Sequence, residues 1–136
     1  MVSYRDVVCL ECGTKKSQPT STRGKYCSLK CQQKHKIRER SSRWMSGEPV
    51  LDNRALRRII SFLRGYKCGV CEISEWRGGP ITLEVEHRNG DSSDCSPENV
   101  CLICPNCHSQ TPTYKGANRG NGRHSRRQRY AEGKSY

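Results

Sequence analysis

Apolar residues are scarce in this chain of 136 residues: 32% of positions are hydrophobic and phenylalanine occurs once. Such a length holds one small domain or two smaller units, and packing alone cannot offset the entropy of ordering so polar a chain. No run approaches the roughly 18 apolar residues of a membrane span. The opening Met1-Val2-Ser3-Tyr4-Arg5-Asp6 is polar and does not read as a signal peptide. A cytoplasmic location with no membrane partner is therefore expected. Acids are scarce as well, 13 against 25 lysines and arginines, and the formal net charge of +12 calls for a polyanionic partner.

What the chain does have is cysteine, ten in all. In a cytosolic protein close cysteine pairs bind metal more often than they form disulfides. Cys9-x2-Cys12-x14-Cys27-x3-Cys31 matches a structural four-cysteine zinc site, with the metal substituting for a core. Ser28 is placed to cap a helix running through the second pair. A second frame reads Cys68-x2-Cys71-x32-Cys104-x2-Cys107, whose metal would clasp the two ends of an inserted unit. Cys95 and Cys101 fall outside both frames. They read as free thiols, or one of them could displace a ligand of the second site.

Positive charge gathers in two places. Between Gln32 and Arg43 stand Lys34, Lys36, Arg38, Arg40 and Arg43, with Glu39 the one acid; the segment is either a solvated helix face or a contact for a DNA backbone. Beyond Lys115, a glycine-rich stretch carries Arg119, Arg123, Arg126, Arg127 and Arg129 and reads as a basic arm that orders on DNA. Trp44-Met45-Ser46-Gly47-Glu48-Pro49 breaks the first basic helix and reads as a linker. Asp52 is a plausible N-cap for a helix over 53–64, with an apolar stripe of Ala55, Leu56, Ile59, Ile60 and Leu63 closed by Gly65.

Inside the second frame, residues 81–87 (Ile-Thr-Leu-Glu-Val-Glu-His) alternate like a strand that buries Ile81, Leu83 and Val85 on one face, with His87 continuing that side. Asn89-Gly90 signals a turn. Val100-Cys101-Leu102-Ile103 reads as a second strand, and the knuckle Cys104–Cys107 opens a helical third element through His108. The set Glu86, His87, Asn99 and His108 offers a hard-oxygen ligand, two imidazoles and a loop-fixing amide. Those are parts sufficient to hold one divalent cation and to activate water against a phosphodiester. An unperturbed imidazole titrates near about 6.5, so a neutral His87 can accept a proton at physiological pH. Taken singly, His87 could be an ordinary strand-end histidine and His108 a zinc ligand in place of a cysteine.

Glu86-His87, Asn99 and Cys107-His108, enclosed by two CxxC pairs, resemble the HNH endonucleases. The wording Arg88-Asn89-Gly90-Asp91, Pro97-Glu98-Asn99-Val100 and residues 104–111 (Cys-Pro-Asn-Cys-His-Ser-Gln-Thr) is similar to the small free-standing enzymes of bacteriophages, many of them homing or nicking endonucleases. The resemblance covers about residues 66–115. It implies a ββα-metal (His-Me finger) nuclease fold with His87 as general base, Asn99 holding the loop between strands, and Glu86 and His108 binding one catalytic Mg²⁺ or Mn²⁺. The family usually has Asp or His at the position of Glu86, and often a lysine where Thr111 stands; Lys115 or an arginine could take that lysine's role.

The expected protein is thus α+β and zinc-stabilised. Residues 1–43 would form a treble-clef-like or ribbon-like zinc finger with a basic helix, 44–52 a linker, 53–115 the nuclease domain with a second zinc, and 116–136 the basic arm. Its expected function is metal-dependent cleavage of double-stranded DNA in the cytoplasm of a phage's host. A DNA-binding protein that keeps the fold without activity, and a nuclease directed at RNA or tied to packaging, are the alternatives. The sequence leaves open a monomer or a homodimer.

Overall fold

A computed structural model of the chain describes residues 3–19, 24–50, 52–115, 128 and 131–133. The chain divides into two compact units, Met1–Ser42 and Arg43–Tyr136. Arg119, Arg123, Arg126, Arg127 and Arg129, expected in the basic arm, lie outside the described residues. Among the described residues no helix is long and apolar enough to cross a membrane.

In the first unit, β1 (Tyr4–Val8) and β2 (Lys15–Pro19) pair antiparallel, Tyr4 opposite Pro19 and Val8 opposite Lys15. The turn between them is the first cysteine knuckle: Gly13, at φ 72°, donates its N–H to Cys9, and Cys9 donates to Thr14. Helix α1 (Leu29–Met45) follows, its first turn capped by Ser28, whose Oγ accepts from Cys31 N at 3.2 Å. Apolar burial is slight here, so the hairpin and helix start depend on what the four sulfurs hold.

In the second unit, helix α2 (Asn53–Arg64) begins where expected. Asp52 accepts from the backbone N–H groups of Arg54 and Ala55, and Gly65, at φ 82°, ends the helix. Ala55, Leu56, Ile59 and Ile60 are buried; Leu63, read as part of the same stripe, is exposed instead. That sheet consists of β5 (Glu84–His87) and β6 (Val100–Ile103), antiparallel with Glu86 opposite Cys101 and His87 opposite Val100. Helix α2 packs on both strands, and Leu83, Val100, Leu102 and Ile103 complete the core with it.

A two-residue ladder, β3 (Glu75–Trp76) with β4 (Gly79–Pro80), precedes β5, and the short helix α3 (Pro105–Ser109) follows β6. The strand expected from residue 81 begins only at Glu84. Trp44, read from sequence as the start of a linker, falls in the last turn of α1 and is 1% exposed; Val50 is buried as well. Among the described residues, Trp44 is the largest of the fully buried side chains.

Candidate active site and its metal-binding frames

The cysteines meet as their spacing implies. The sulfurs of Cys9, Cys12, Cys27 and Cys31 lie within 4.8 Å of one another, as do those of Cys68, Cys71, Cys104 and Cys107. Tetrahedral zinc with bonds of about 2.3 Å sets its sulfurs about 3.8 Å apart. The separations are 3.5 Å for Cys12–Cys27, 3.4 Å for Cys27–Cys31 and 3.7 Å for Cys71–Cys104, so each cage is sized for that ion.

Both frames share a pattern of proton affinity. Backbone N–H groups, that of Cys27 foremost, lower Cys9 to about 6. Burial opposes the charge on Cys68, but the N–H groups of Cys71, Cys104 and Val70 outweigh it and bring Cys68 to about 6. Crowding among sulfurs raises Cys27 and Cys107 to about 12. Each cage therefore sets a thiol that gives up its proton easily beside one that holds it tightly, and a cation must displace the held proton.

The second cage sits under β6. Gly69 donates its N–H to Leu102 O at 2.7 Å, and a Cβ at Gly69 would stand 3.3 Å from both Cys101 Cβ and Leu102 O. Only glycine lets the knuckle lie that close to the strand. Cys101 is thus a buried packing residue rather than a ligand.

From this platform, β5 and α3 bring the predicted pair together: Glu86 Oε2 is 3.2 Å from His108 Nε2. Two ligands at about 2.1 Å on neighbouring octahedral positions stand about 3 Å apart, so the pair suits a hard divalent ion. Thr113 donates to the other oxygen of Glu86 at 2.6 Å. Glu84, two residues earlier and on the same face of β5, meets His108 Nδ1 at 2.6 Å. Sequence reasoning passed over Glu84; the signal was the strand period of 2 that sets it beside Glu86. A carboxylate on the second ring nitrogen fixes the histidine's tautomer and ring plane. The Tyr114 ring meets His108 edge-on at 5.2 Å, and Lys115 Nζ lies 4.9 Å over that tyrosine. Thr111, where the family often has lysine, donates to His108 O at 2.9 Å.

His87 ends β5 and is 8% exposed, with Nε2 at 3.5 Å from the Cys95 sulfur. Burial, with Asp94 and Asp91 adding to it, pushes the Cys95 thiol up. Asn99 ties the loop between β5 and β6 from both sides. Its Oδ1 accepts from Asn89 N at 3.0 Å, while its Nδ2 donates to Asn89 Oδ1 at 2.9 Å and to Asp94 O at 2.7 Å. Three bonds from one side chain hold both ends of the turn that leaves His87.

Among the basic residues expected to touch DNA, Arg38 and Lys34 reach Glu11 at 2.7 and 3.6 Å, and Arg43 reaches Glu48 at 3.6 Å. The Glu11 side chain is 1% exposed, so its charge is neutralised from within the unit. Lys36 and Arg40 are exposed, and among the described residues no ion pair engages them.

A stretch of 76 residues is 37% identical to a protein of Escherichia phage T5 named H-N-H endonuclease F-TflIV. The chain resembles an HNH endonuclease. The match covers 55% of this chain and 34% of the phage T5 protein, so the chain spans about a third of the relative's length. No protein-family model and no solved structure matches. The HNH resemblance accords with a small mixed helix–strand protein carrying two cysteine tetrads able to hold zinc.

Proposed function

We propose that the protein is a metal-dependent DNA endonuclease of the HNH kind, with β5, β6 and α3 serving as a ββα-metal unit. The observation that carries this reading is the approach of Glu86 Oε2 to His108 Nε2, 3.2 Å, on the strand that ends in His87. Carboxylate and imidazole there would hold Mg²⁺ or Mn²⁺, with few protein ligands and open positions left for water and phosphate. A cation so held would supply positive charge to stabilise the phosphate and the leaving oxygen.

The chain's own groups do the rest. Glu84 and Thr113 orient His108 and Glu86. His87 takes the proton of the attacking water, at the end of β5 where a loop that Asn99 keeps in one shape leaves the strand. Lys36 and Arg40, with the arginines beyond Lys115, supply phosphate contacts that give affinity and little sequence information. The two tetrads hold structural zinc. The relative's name supports an endonuclease and its source a phage; homing or nicking in the host cytoplasm is part of this proposal.

The test is conversion of supercoiled plasmid and a phage-genome fragment by purified protein, with Mg²⁺, with Mn²⁺ and with chelator, wild type beside His87→Ala. Metal-dependent nicking or linearisation lost in the variant supports the reading. Intact DNA under every condition, with binding retained, would leave a DNA-binding protein without activity.

A further inference from the structure

The two tryptophans of the chain have opposite fates: Trp44 is 1% exposed, and Trp76 is 56% exposed. Trp76 occupies the last position of β3, and its cross-strand partner is Gly79, which has no side chain to cover an indole. The two residues of the turn, Arg77 and Gly78, both take positive φ, 51° and 81°, the pattern of a type I′ hairpin. Glycine accepts that conformation freely, whereas an arginine there is strained. Space around Gly78 and Gly79 is open within 4 Å.

The hairpin is nonetheless firmly based. Ile81 N donates to Ser74 O at 3.0 Å, Tyr66 Oη donates to Ile81 O at 2.8 Å, and the chain before it leaves the Cys68–Cys71 knuckle. Successive strand residues face opposite sides, so Glu75 points away from the face bearing the indole. A bare indole beside an arginine held at strained backbone φ, on a two-residue tip, costs stability without an internal return. In a chain of net charge +12, the partner that suits both groups is a nucleic acid: guanidinium for phosphate or groove edge, indole for sugar and base faces.

We propose that the Trp76–Arg77 tip is a DNA-contact element that engages the duplex. This rests on the endonuclease reading for its choice of duplex DNA, and its own test is binding, scored apart from cleavage. Binding of a labelled DNA duplex is measured without added Mg²⁺ for wild type, Trp76→Ala and Arg77→Gly, together with melting temperature. Each substitution is expected to weaken binding by about tenfold. Arg77→Gly is also expected to melt no lower than wild type, because glycine relieves the positive φ. Tryptophan emission should be quenched by duplex in wild type and unchanged in Trp76→Phe, which leaves Trp44 as the internal reference.

Unchanged affinity in both variants, with emission indifferent to DNA, overturns the proposal even if the protein cleaves. Weakened binding and quenching without any cleavage uphold it while the endonuclease reading fails. Stronger competition by single-stranded RNA than by duplex overturns the assignment of the partner.

Discussion

Trp44 Nε1 donates a 2.7 Å hydrogen bond to the carbonyl oxygen of Cys95, and the Cys95 sulfur stands 3.5 Å from His87 Nε2. An indole from a helix end thus fixes the backbone of the residue that abuts the proposed base. Arg64 adds to the same corner: its guanidinium lies 5.9 Å over the Trp44 ring and donates to Val100 O and Pro97 O at 3.0 and 2.8 Å. Trp44→Phe keeps an aromatic ring but leaves a buried carbonyl unpaired. It is expected to cost about 1–3 kcal/mol in urea unfolding of the zinc-loaded protein. It should also slow cleavage; unchanged stability would mean that the carbonyl finds another donor.

The carboxylates of β5 are expected to separate by role. Glu86→Gln removes a proposed metal ligand, whereas Glu84→Gln leaves the ligands and loosens the histidine behind them. Glu84→Gln should therefore lower metal affinity by about 10–100-fold and recover much of its rate at raised Mn²⁺. Glu86→Gln should recover less. Titrating cleavage against Mn²⁺ for both variants decides the order, and equal responses would place both carboxylates on the metal.

His87→Ala is expected to reduce cleavage by about 10²–10⁴-fold, the usual reach of general-base catalysis, with DNA affinity near wild type. Competition binding beside single-turnover cleavage separates the two effects. A parallel loss of binding would make His87 part of the loop's scaffold.

Asn99→Ala should both loosen the loop and slow cleavage. It strips the partner from Asn89 N and from Asp94 O, at about 1–3 kcal/mol for each such group that stays dry. Asn99→Asp keeps an acceptor for Asn89 N but sets a second carboxylate oxygen against Asn89 Oδ1 and Asp94 O, so it is expected to fail as well. Unfolding curves for both variants against cleavage rates provide the check; wild-type rates in Asn99→Asp would show that only the acceptor matters.

Much of this architecture was legible because it is written locally. Asp52 and Gly65 bracket α2, and the run Val100–Ile103 forms a strand as read; the alternation before His87 found the other strand only in part, since it starts at Glu84 and leaves Ile81 and Val85 half-buried while Glu86 on the opposite face is buried. The cysteine pairs were legible because sulfur spacing and cage geometry are nearly the same statement. Trp44 was not, since its neighbours Ser46, Gly47 and Pro49 punctuate the chain while its own burial depends on Arg64 and Cys95, far away in sequence. Glu84 was passed over because the strand period of 2, which sets it beside Glu86, does not by itself show the reach to His108. Glu11 likewise hid its reach to Arg38 inside a knuckle. The hairpin at Trp76 was not legible, because a tip of Arg-Gly lacks the usual Asn-Gly signal.

Zinc should be present at two ions per chain, and its affinity should fall with pH in a curve whose steepness changes. Protons compete with the cation for sulfur. In the metal-free protein Cys27 and Cys107, at about 12, hold their protons throughout the neutral range, so each ion must displace at least those. Cys9 and Cys68, at about 6, are already thiolates at pH 7.5 and add no proton cost there. Below about 6 they become protonated too, one more proton per cage must leave, and affinity should drop faster with each further step toward acid. Competition with a chromophoric chelator at pH 7.5, 6.5 and 5.5 measures this directly. A constant slope across the range would mean that the backbone N–H groups do not hold Cys9 and Cys68 as thiolates, and a count of one ion would leave one cage without its metal.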